Sequence, residues 1–558
     1  MKKLLAILLA AVMLLSSCRV SERNPAEQGS SEASGSEAGN GEIVTDVPKS
    51  TSDSVDTEAP DSTETAQTTN PFEGIFELDI YGHPLPELRE LECALSYEEV
   101  CEMYPDKTVL TWLISYVDHA YATMRTQEIN DYLVSLGKDY VVYFEPYIDN
   151  KYRDPHYVII QDRIDNGEKF DIIFEFSDFL GHAGLTIPLD DYLQNTEIGQ
   201  ELLELMPENY WRASTNNDGI YGLGNASFVI GHTLLCFYNA ELVDKYGYDI
   251  NKSPLEQLDI LHEIDENEED TCTVYGPTPS NYVAPYTNYR SIEPPLYWDK
   301  NTDEAKLALD NQEYLETVYT LSKLYDEGLL IKSLYSLYDD SFFMYCCQGV
   351  VPTFLTSFQI NDDGTYTVLN AAKEPVTCYM TTPNGPMAIN NPWYANGVAA
   401  VSEHKDEAFD LLATAYTDAT LNNLLTYGVE GLDYIVDEKG ITDNTYASLI
   451  YANHLICIPP AGTNGQGFAD YIRNILETAP CEDDIEFVPN FLDYYDIMSS
   501  ASPIMDEFAE ALSYGVATRE EFDAIVAEYR EKILQTGIQE AIDGINAQYA
   551  EWKEQQNE

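Results

Sequence analysis

The sequence predicts an α/β fold of two lobes with helical additions at its carboxyl end. From residue 108 onward, apolar strand patterns alternate with helical ones in the order β-α-β-α-β, which implies a parallel sheet with right-handed crossovers. Roughly 480 residues follow a low-complexity amino-terminal stretch, enough for two or more domains. The carboxyl end carries two amphipathic helix patterns in succession.

The elements follow in chain order. Lys2 and Lys3 precede an unbroken apolar run at residues 4–15. A bilayer-spanning helix needs roughly 20 apolar residues, so residues 1–18 read as a signal peptide rather than a permanent span. The run ends in Leu15-Ser16-Ser17-Cys18, which matches the lipobox of bacterial lipoprotein signals. Cys18 is therefore the expected lipidation site, and its acyl chains anchor the chain at ~0.8 kcal/mol per buried CH₂. No later segment is long and apolar enough to span a membrane.

Residues 19–70 contain no aromatic residue and are rich in Ser, Thr, Glu, Asp and Gly. Such a composition buries too little apolar surface to offset ordering entropy, so a disordered, self-repelling tether is expected there. Residues 108–116 are apolar enough for a buried parallel strand. A helix at 120–136, a strand at 140–144, a helix at 155–166 with Pro155 at its start and a strand at 171–176 complete the first unit. Asn217-Asp218-Gly219 is a turn signal, and a strand at 234–238 leads into a helix at 240–246. Further strands are expected at 350–355, 376–380 and 397–401, with Asn361-Asp-Asp-Gly364 as a hairpin turn. Thr518 and Glu521 form a capping box before Phe522, Ile525, Val526, Tyr529 and Ile533. After Gly537, Ile538, Ile542, Ile545, Tyr549 and Trp552 fall on one stripe.

The formal charge is −68, from 97 acidic against 29 basic side chains. That surface repels phosphate backbones and anionic lipid heads, so nucleic acid is excluded as a partner and a polyanionic ligand is disfavoured. Ten cysteines less Cys18 leave an odd number, with a vicinal pair at Cys346-Cys347 and no CxxC. Disulfides are permitted outside the cytoplasm, but none is assignable from spacing. Cys236 and Cys457 sit in apolar runs and are expected to be buried.

Four segments resemble the extracellular solute-binding proteins of carbohydrate ABC transporters, family 1, the maltose-binding-protein-like group. Thr108-Val-Leu-Thr-Trp112 resembles the opening strand. Asp171-Ile-Ile-Phe174 with Gly184-Leu-Thr-Ile-Pro-Leu189 resembles the third strand and the segment leading away from it. Ile220-Tyr-Gly-Leu223, Phe237-Tyr-Asn239 and Leu242 resemble the crossing between lobes. Asn396-Gly-Val-Ala-Ala400, residues 405–416 and Asn423-Leu-Leu-Thr-Tyr-Gly428 resemble the return. Continued by Val429-Glu-Gly-Leu-Asp-Tyr434, that last piece resembles a lipoprotein subgroup found in Firmicutes, and the match spans about residues 105–555.

The resemblance implies a type II periplasmic-binding-protein-like fold, with two α/β lobes closing over a cleft. Lobe I would hold residues 71–226 and 385–430, and lobe II residues 227–384 and 431–558. It also implies capture of a sugar or oligosaccharide for an ABC importer, with the permease subunits as partners, no cofactor, no catalysis and a monomeric chain on the outer face of the membrane.

Ligands in open α/β sheets sit beyond the carboxyl ends of strands. That rule selects Ser115, Tyr116 and Asp118 after the first strand, and Glu175, Ser177 and Asp178 after the third. The crossing adds Asn225 and His232. Asp178 leads the set, because the maltose-binding relative places an aspartate there; Glu175 departs from it, standing where that relative has a stacking aromatic. A helix cap is the structural alternative for Asp178. Sugars also need aromatic faces. Trp393 and Asn396 in the loop before the return strand, and Trp298 near Arg290, have that character, against packing between lobes. Trp112, Trp211 and Trp552 are expected in cores.

Two other classes compete. A peptide or amino-acid ligand would use an Arg–Asp pair such as Arg290 or Arg153 with Asp178. A secreted glycoside hydrolase needs two placed carboxylates, and among 97 acids a pair carries no information. The sequence holds no GxSxG, HExxH or P-loop, and His119, His182, His262 and His404 lack metal-ligand spacing.

Overall fold

Thr108–Ile114 (β1) is apolar at nearly every position because both of its faces are covered. In the computed structural model, Leu110, Trp112 and Ile114 face one core, with Val142 and Phe144, while Leu113 faces another with Ile160, Phe170 and Ile173. The structure describes residues 76–78, 84–86, 95–114, 125–146, 156–227, 229–230, 233–268, 271–275, 289–331, 341–349, 358–361, 363–369, 375–382, 388–392, 394–437, 440–444, 453–458, 467–513 and 516–556. The tether and Cys18 lie outside them.

β1 is followed by α1 (Thr126–Ser135), β2 (Tyr140–Pro146), α2 (His156–Asp165), β3 (Ile172–Phe176) and α3 (Ser177–His182). β1 lies between β2 and β3, parallel to both, with Thr108 opposite Tyr140 and Trp112 opposite Ile172. This is the expected β-α-β-α-β unit. α1 buries Ile129 and Leu133, and Asn130 on the same face exchanges hydrogen bonds of 2.9 and 2.8 Å with the Val142 backbone. That amide occupies backbone groups of β2, the edge of this sheet among the described residues.

The fourth strand of this sheet is Tyr394–Val398, antiparallel to β3. It starts three residues before the expected 397–401, because Tyr394 stacks on Phe174 and Phe176 with ring centroids 5.2 and 4.3 Å apart. Two stretches of chain cross beside this strand toward the second sheet. Leu223 and Asn396 exchange backbone hydrogen bonds of 2.8 and 2.9 Å, and Asn390 donates to the Val229 carbonyl at 2.8 Å. The stretches touch so closely that a Cβ on Gly397 would collide with the Tyr221 carbonyl. Glycine is needed there for approach rather than for its dihedral freedom.

α4 (Glu208–Ser214) stands just before the crossing, and beyond it lie β4 (Thr233–Asn239), α5 (Ala240–Tyr246) and β5 (Thr271–Tyr275). Asn239 caps α5, accepting from Glu241 N and Leu242 N, and Gly247 ends it at φ 66°. A small antiparallel sheet follows: β6 (Tyr289–Ser291), β7 (Leu296–Asp299) and β8 (Glu304–Leu307). Then come α6 (Gln312–Asp326), β9 (Leu330–Ile331), β10 (Ser341–Gly349), β11 (Phe358–Ile360), β12 (Tyr366–Leu369), β13 (Pro375–Thr381) and β14, the Tyr394–Val398 strand. The second sheet has the order β9-β5-β10-β4-β13-β12-β11. It is parallel from β9 to β10 and antiparallel from there on. The hairpin turn at 361–364 joins β11 to β12 as expected, with Gly364 at φ 83°. The strand expected at 350–355 lies outside the described residues, and β10 stands just before it.

After β14 the chain forms α7 (Lys405–Thr417), α8 (Ala419–Tyr427) and α9 (Gly467–Thr478). Residues 453–458 and 467–478, expected in lobe II, make contacts with elements assigned to lobe I. Asn453 donates to Tyr416 O at 2.7 Å, and Asn209 of α4 donates to Leu476 O at 2.8 Å. The physical reason is apolar: Phe468, Ile472, Ile475 and Leu476 cover a face that includes Leu202, Met206 and Tyr210.

Last come α10 (Tyr495–Ser513), α11 (Arg519–Leu534) and α12 (Ile538–Gln556). They bury their stripes against β7 and β8 around Trp298, Phe487 and Tyr549. Thr518 caps α11 by accepting from Glu521 N at 3.2 Å; Glu521 in turn accepts from Ala517 N rather than from the cap residue. The architecture is two α/β lobes with a helical carboxyl-terminal addition, as the sequence predicts.

Candidate ligand cleft between the lobes

β3 runs straight into α3, so the first turn of that helix sits at the carboxyl end of the sheet. Ser177 donates to the Pro392 carbonyl and ties this turn to the loop before β14. Asp178 follows. It does not cap the helix; its Oδ1 accepts from the adjacent Phe179 N at 3.1 Å, within its own turn. Across from it stand Glu293, from the loop before the Leu296–Asp299 strand, and Phe491, Leu492, Tyr495 and Met498 of the carboxyl-terminal addition, which with Phe179 line a narrow, partly open gap.

The electrostatics are unusual for an aspartate. Burial pushes the Asp178 carboxyl up to about 7, and the neighbouring Glu293 and Glu175 carboxylates add to the rise. Near neutral pH it therefore exists in both forms, able to accept from a hydroxyl or to donate to an oxygen. Glu175 is fully buried beside it and accepts from Phe176 N at 2.7 Å. This gap brings the aromatic side chains of Phe179, Phe491 and Tyr495 together with the Asp178 carboxyl group. Its interior is too narrow for a sugar ring as it stands, so entry requires the two sides to separate.

A second narrow gap is lined by Ser177, Ser214, Asn216, Tyr221, Asn391 and Val488 among others. Its far wall is stitched down. Asn217 exchanges hydrogen bonds of 2.9 and 3.1 Å with Val488, and Asn391 donates to Ala213 O and Ile485 O.

The remaining expected residues fall elsewhere. Asn396 is fully buried, accepting from Trp112 Nε1 at 3.0 Å, with Tyr416 Oη 3.5 Å from its amide nitrogen; it serves the core rather than the gap. Asn225 is also buried, and its Oδ1 accepts from Ser227 N and Oγ at 3.0 and 2.7 Å. Ser227 Oγ lies 2.5 Å from His454 Nδ1, which closes this network inside the crossing. Trp298 packs at 4.4 Å from the Tyr549 ring and at 5.7 Å from Phe487, so it belongs to the addition's core. The Arg290 backbone pairs with Trp298 in β6, and its side chain lies outside the described residues. Ser115, Tyr116 and Trp393 also lie outside them, as do Asp118 and His232. Trp112 is core as expected, and Trp211 and Trp552 pack against cores half-buried.

Of the expected set, the structure brings Asp178 and Glu175 together. Sequence reasoning missed Glu293, Phe491 and Tyr495. The signal available was the aromatic density of residues 487–495 beside Pro489, which strand-end logic does not rank.

Two α/β sheets, a double crossing and helices added at the carboxyl end define a solute-binding-protein fold. Solved structures of that architecture superpose on the chain. The N-glycan transport solute binding protein from Streptococcus pneumoniae does so at TM-score 0.57, with 17% identity over 80% of this chain and 99% of that one. Its complex with Man1GlcNAc gives 0.55 at 17% identity over the same shares. The complex with Man5GlcNAc gives 0.50 at 18% identity over 80% and 98%. At such identity the likeness establishes the fold. No family model and no curated protein matches the chain.

Proposed function

We propose that this protein captures a carbohydrate outside the cell and delivers it, unchanged, to the transmembrane subunits of an ABC importer. The observation that carries the reading is the position of Asp178. It stands at the carboxyl end of a lobe I strand and faces Phe491 and Tyr495 across a gap that must open to admit anything. Aromatic faces take the C–H side of a sugar, and a carboxyl group near half-protonation meets its hydroxyls. The carboxyls of Glu175 and Glu293 disfavour an acidic sugar, so the ligand class is a neutral oligosaccharide. The binding of Man1GlcNAc and Man5GlcNAc by a structural neighbour supports the class without fixing the sugar.

Isothermal titration against neutral oligosaccharides, uronic-acid oligomers and peptides tests the reading. A neutral sugar should bind and be recovered intact. Binding of peptides alone would replace it with a peptide carrier, and release of a cleaved product would replace it with a hydrolase. Attachment through Cys18 belongs to the same proposal: Cys18→Ser should leave folding intact and shed the protein from the membrane, whereas full retention there would refute the anchor.

A further inference from the structure

We infer that Cys236 and Cys346 form a disulfide that staples the centre of the second sheet. The two residues are register partners across the antiparallel β4–β10 pair, and in this structure the Cys236 sulfur is not part of a disulfide, so the bond inferred is one that oxidation would add. Antiparallel partners have Cα atoms about 4.5–5.5 Å apart, inside the roughly 4.4–6.8 Å that a disulfide spans. Both residues also belong to one face of the sheet. Cys236 is buried in the cluster that holds Tyr238, Leu242, Leu261 and Met344. Met344 is the partner of Tyr238 and stands two residues before Cys346, and alternation along a strand returns to the same face every second residue.

The same register excludes the competitors. Cys347 is opposite Leu235, which packs into the other core, so the vicinal pair is divided between faces. Cys272 is opposite Phe342, four residues along β10 and on the order of 13 Å from Cys346 at the strand rise. Cys378 packs into the core that holds Leu235 and Phe237, on the far side of the sheet from Cys236.

The chemistry needs an exogenous disulfide as oxidant. One thiolate attacks it, releasing one thiol and forming a mixed disulfide; the second thiolate then displaces the other thiol and closes the protein bond. Two protein thiols and one external disulfide thus become one protein disulfide and two external thiols, with both protons accounted for. The closed loop holds roughly 110 residues, a length at which the entropy removed from the unfolded chain is large.

The test uses the full chain exported into an oxidising compartment, with oxidised glutathione as the added oxidant. Alkylation under denaturing, non-reducing conditions is followed by digestion and tandem mass spectrometry. The expected result is a cross-linked peptide pair joining Cys236 to Cys346, lost on reduction and retained in Cys347→Ser. Reduction should also lower the melting temperature of the wild type by about 5 °C or more, and should shift Cys236→Ser by less. Full alkylation of Cys236 without reductant, or its linkage to any other cysteine, overturns the inference. The peptide map of the wild type decides the question even where a variant fails to fold.

Discussion

Asp171 and Asp178 flank the same strand, β3, and the fold treats them in opposite ways. At the amino end, Asp171 is buried with both carboxylate oxygens engaged: Thr111 N donates at 2.8 Å and Ser402 Oγ at 2.6 Å. At the carboxyl end, the hydrogen bond described for the Asp178 carboxyl comes from the next residue in its own turn, and two further carboxyls crowd it. One aspartate closes a joint between strands and the α7 approach. The other stands at the gap beside two further carboxyls, where burial disfavours its charged form.

Substitutions at the two ends should separate stability from binding. Asp171→Ala strands the Thr111 amide and the Ser402 hydroxyl. It should cost about 3 kcal/mol of stability, read as a lower urea midpoint, while any folded fraction binds sugar normally. Selective loss of affinity at full stability would erase the contrast. Asp178→Ala should do the reverse, weakening sugar binding by about 1–3 kcal/mol in titration calorimetry with the melting temperature held or raised.

Asp178→Asn probes the same contrast through pH. The folded-state value near 7 lies above the ordinary aspartate range, so the folded chain retains a proton that the unfolded chain releases. Stability is therefore complete below about pH 4 and declines as pH rises through 7. The amide removes that decline and should gain about 1 kcal/mol at pH 8, allowing for partial solvent screening, with nothing gained at pH 4. Melting temperatures across that range check the sign, and a gain confined to low pH would contradict it. Smallest is Phe491→Ala, which removes one ring from the opposite wall and should reduce sugar affinity by about 0.5–1 kcal/mol. An unchanged titration would take the addition out of the ligand's reach.

The legible parts of the molecule are those whose partners lie close in sequence or whose pattern repeats. β1, β2 and β3 stand out as apolar runs, because both faces of their sheet are covered. Asn239 and Gly247 mark both ends of α5, and the Ile538, Ile542, Ile545 and Tyr549 stripe marks the buried face of α12. Less was legible where a residue type serves two purposes. Trp298 and Asn396 have the chemistry of ligand-binding residues, yet one packs on Tyr549 and the other accepts from Trp112. β10 escaped notice because Ser, Tyr, Cys and Gln break its apolar run, although as an interior strand it draws its stability from neighbours on both sides.

Local periodicity and composition suffice for the first β-α-β-α-β unit, the acidic charge and the helical carboxyl end, and all of these are written in the chain. That Asp178 meets Phe491 and Tyr495, and that the Gly467–Thr478 helix packs against α4, emerges from packing between distant parts of it. The reason is desolvation. Whether a carboxyl group keeps its water depends on atoms that arrive from the far end of the chain, and no nearby residue records their approach.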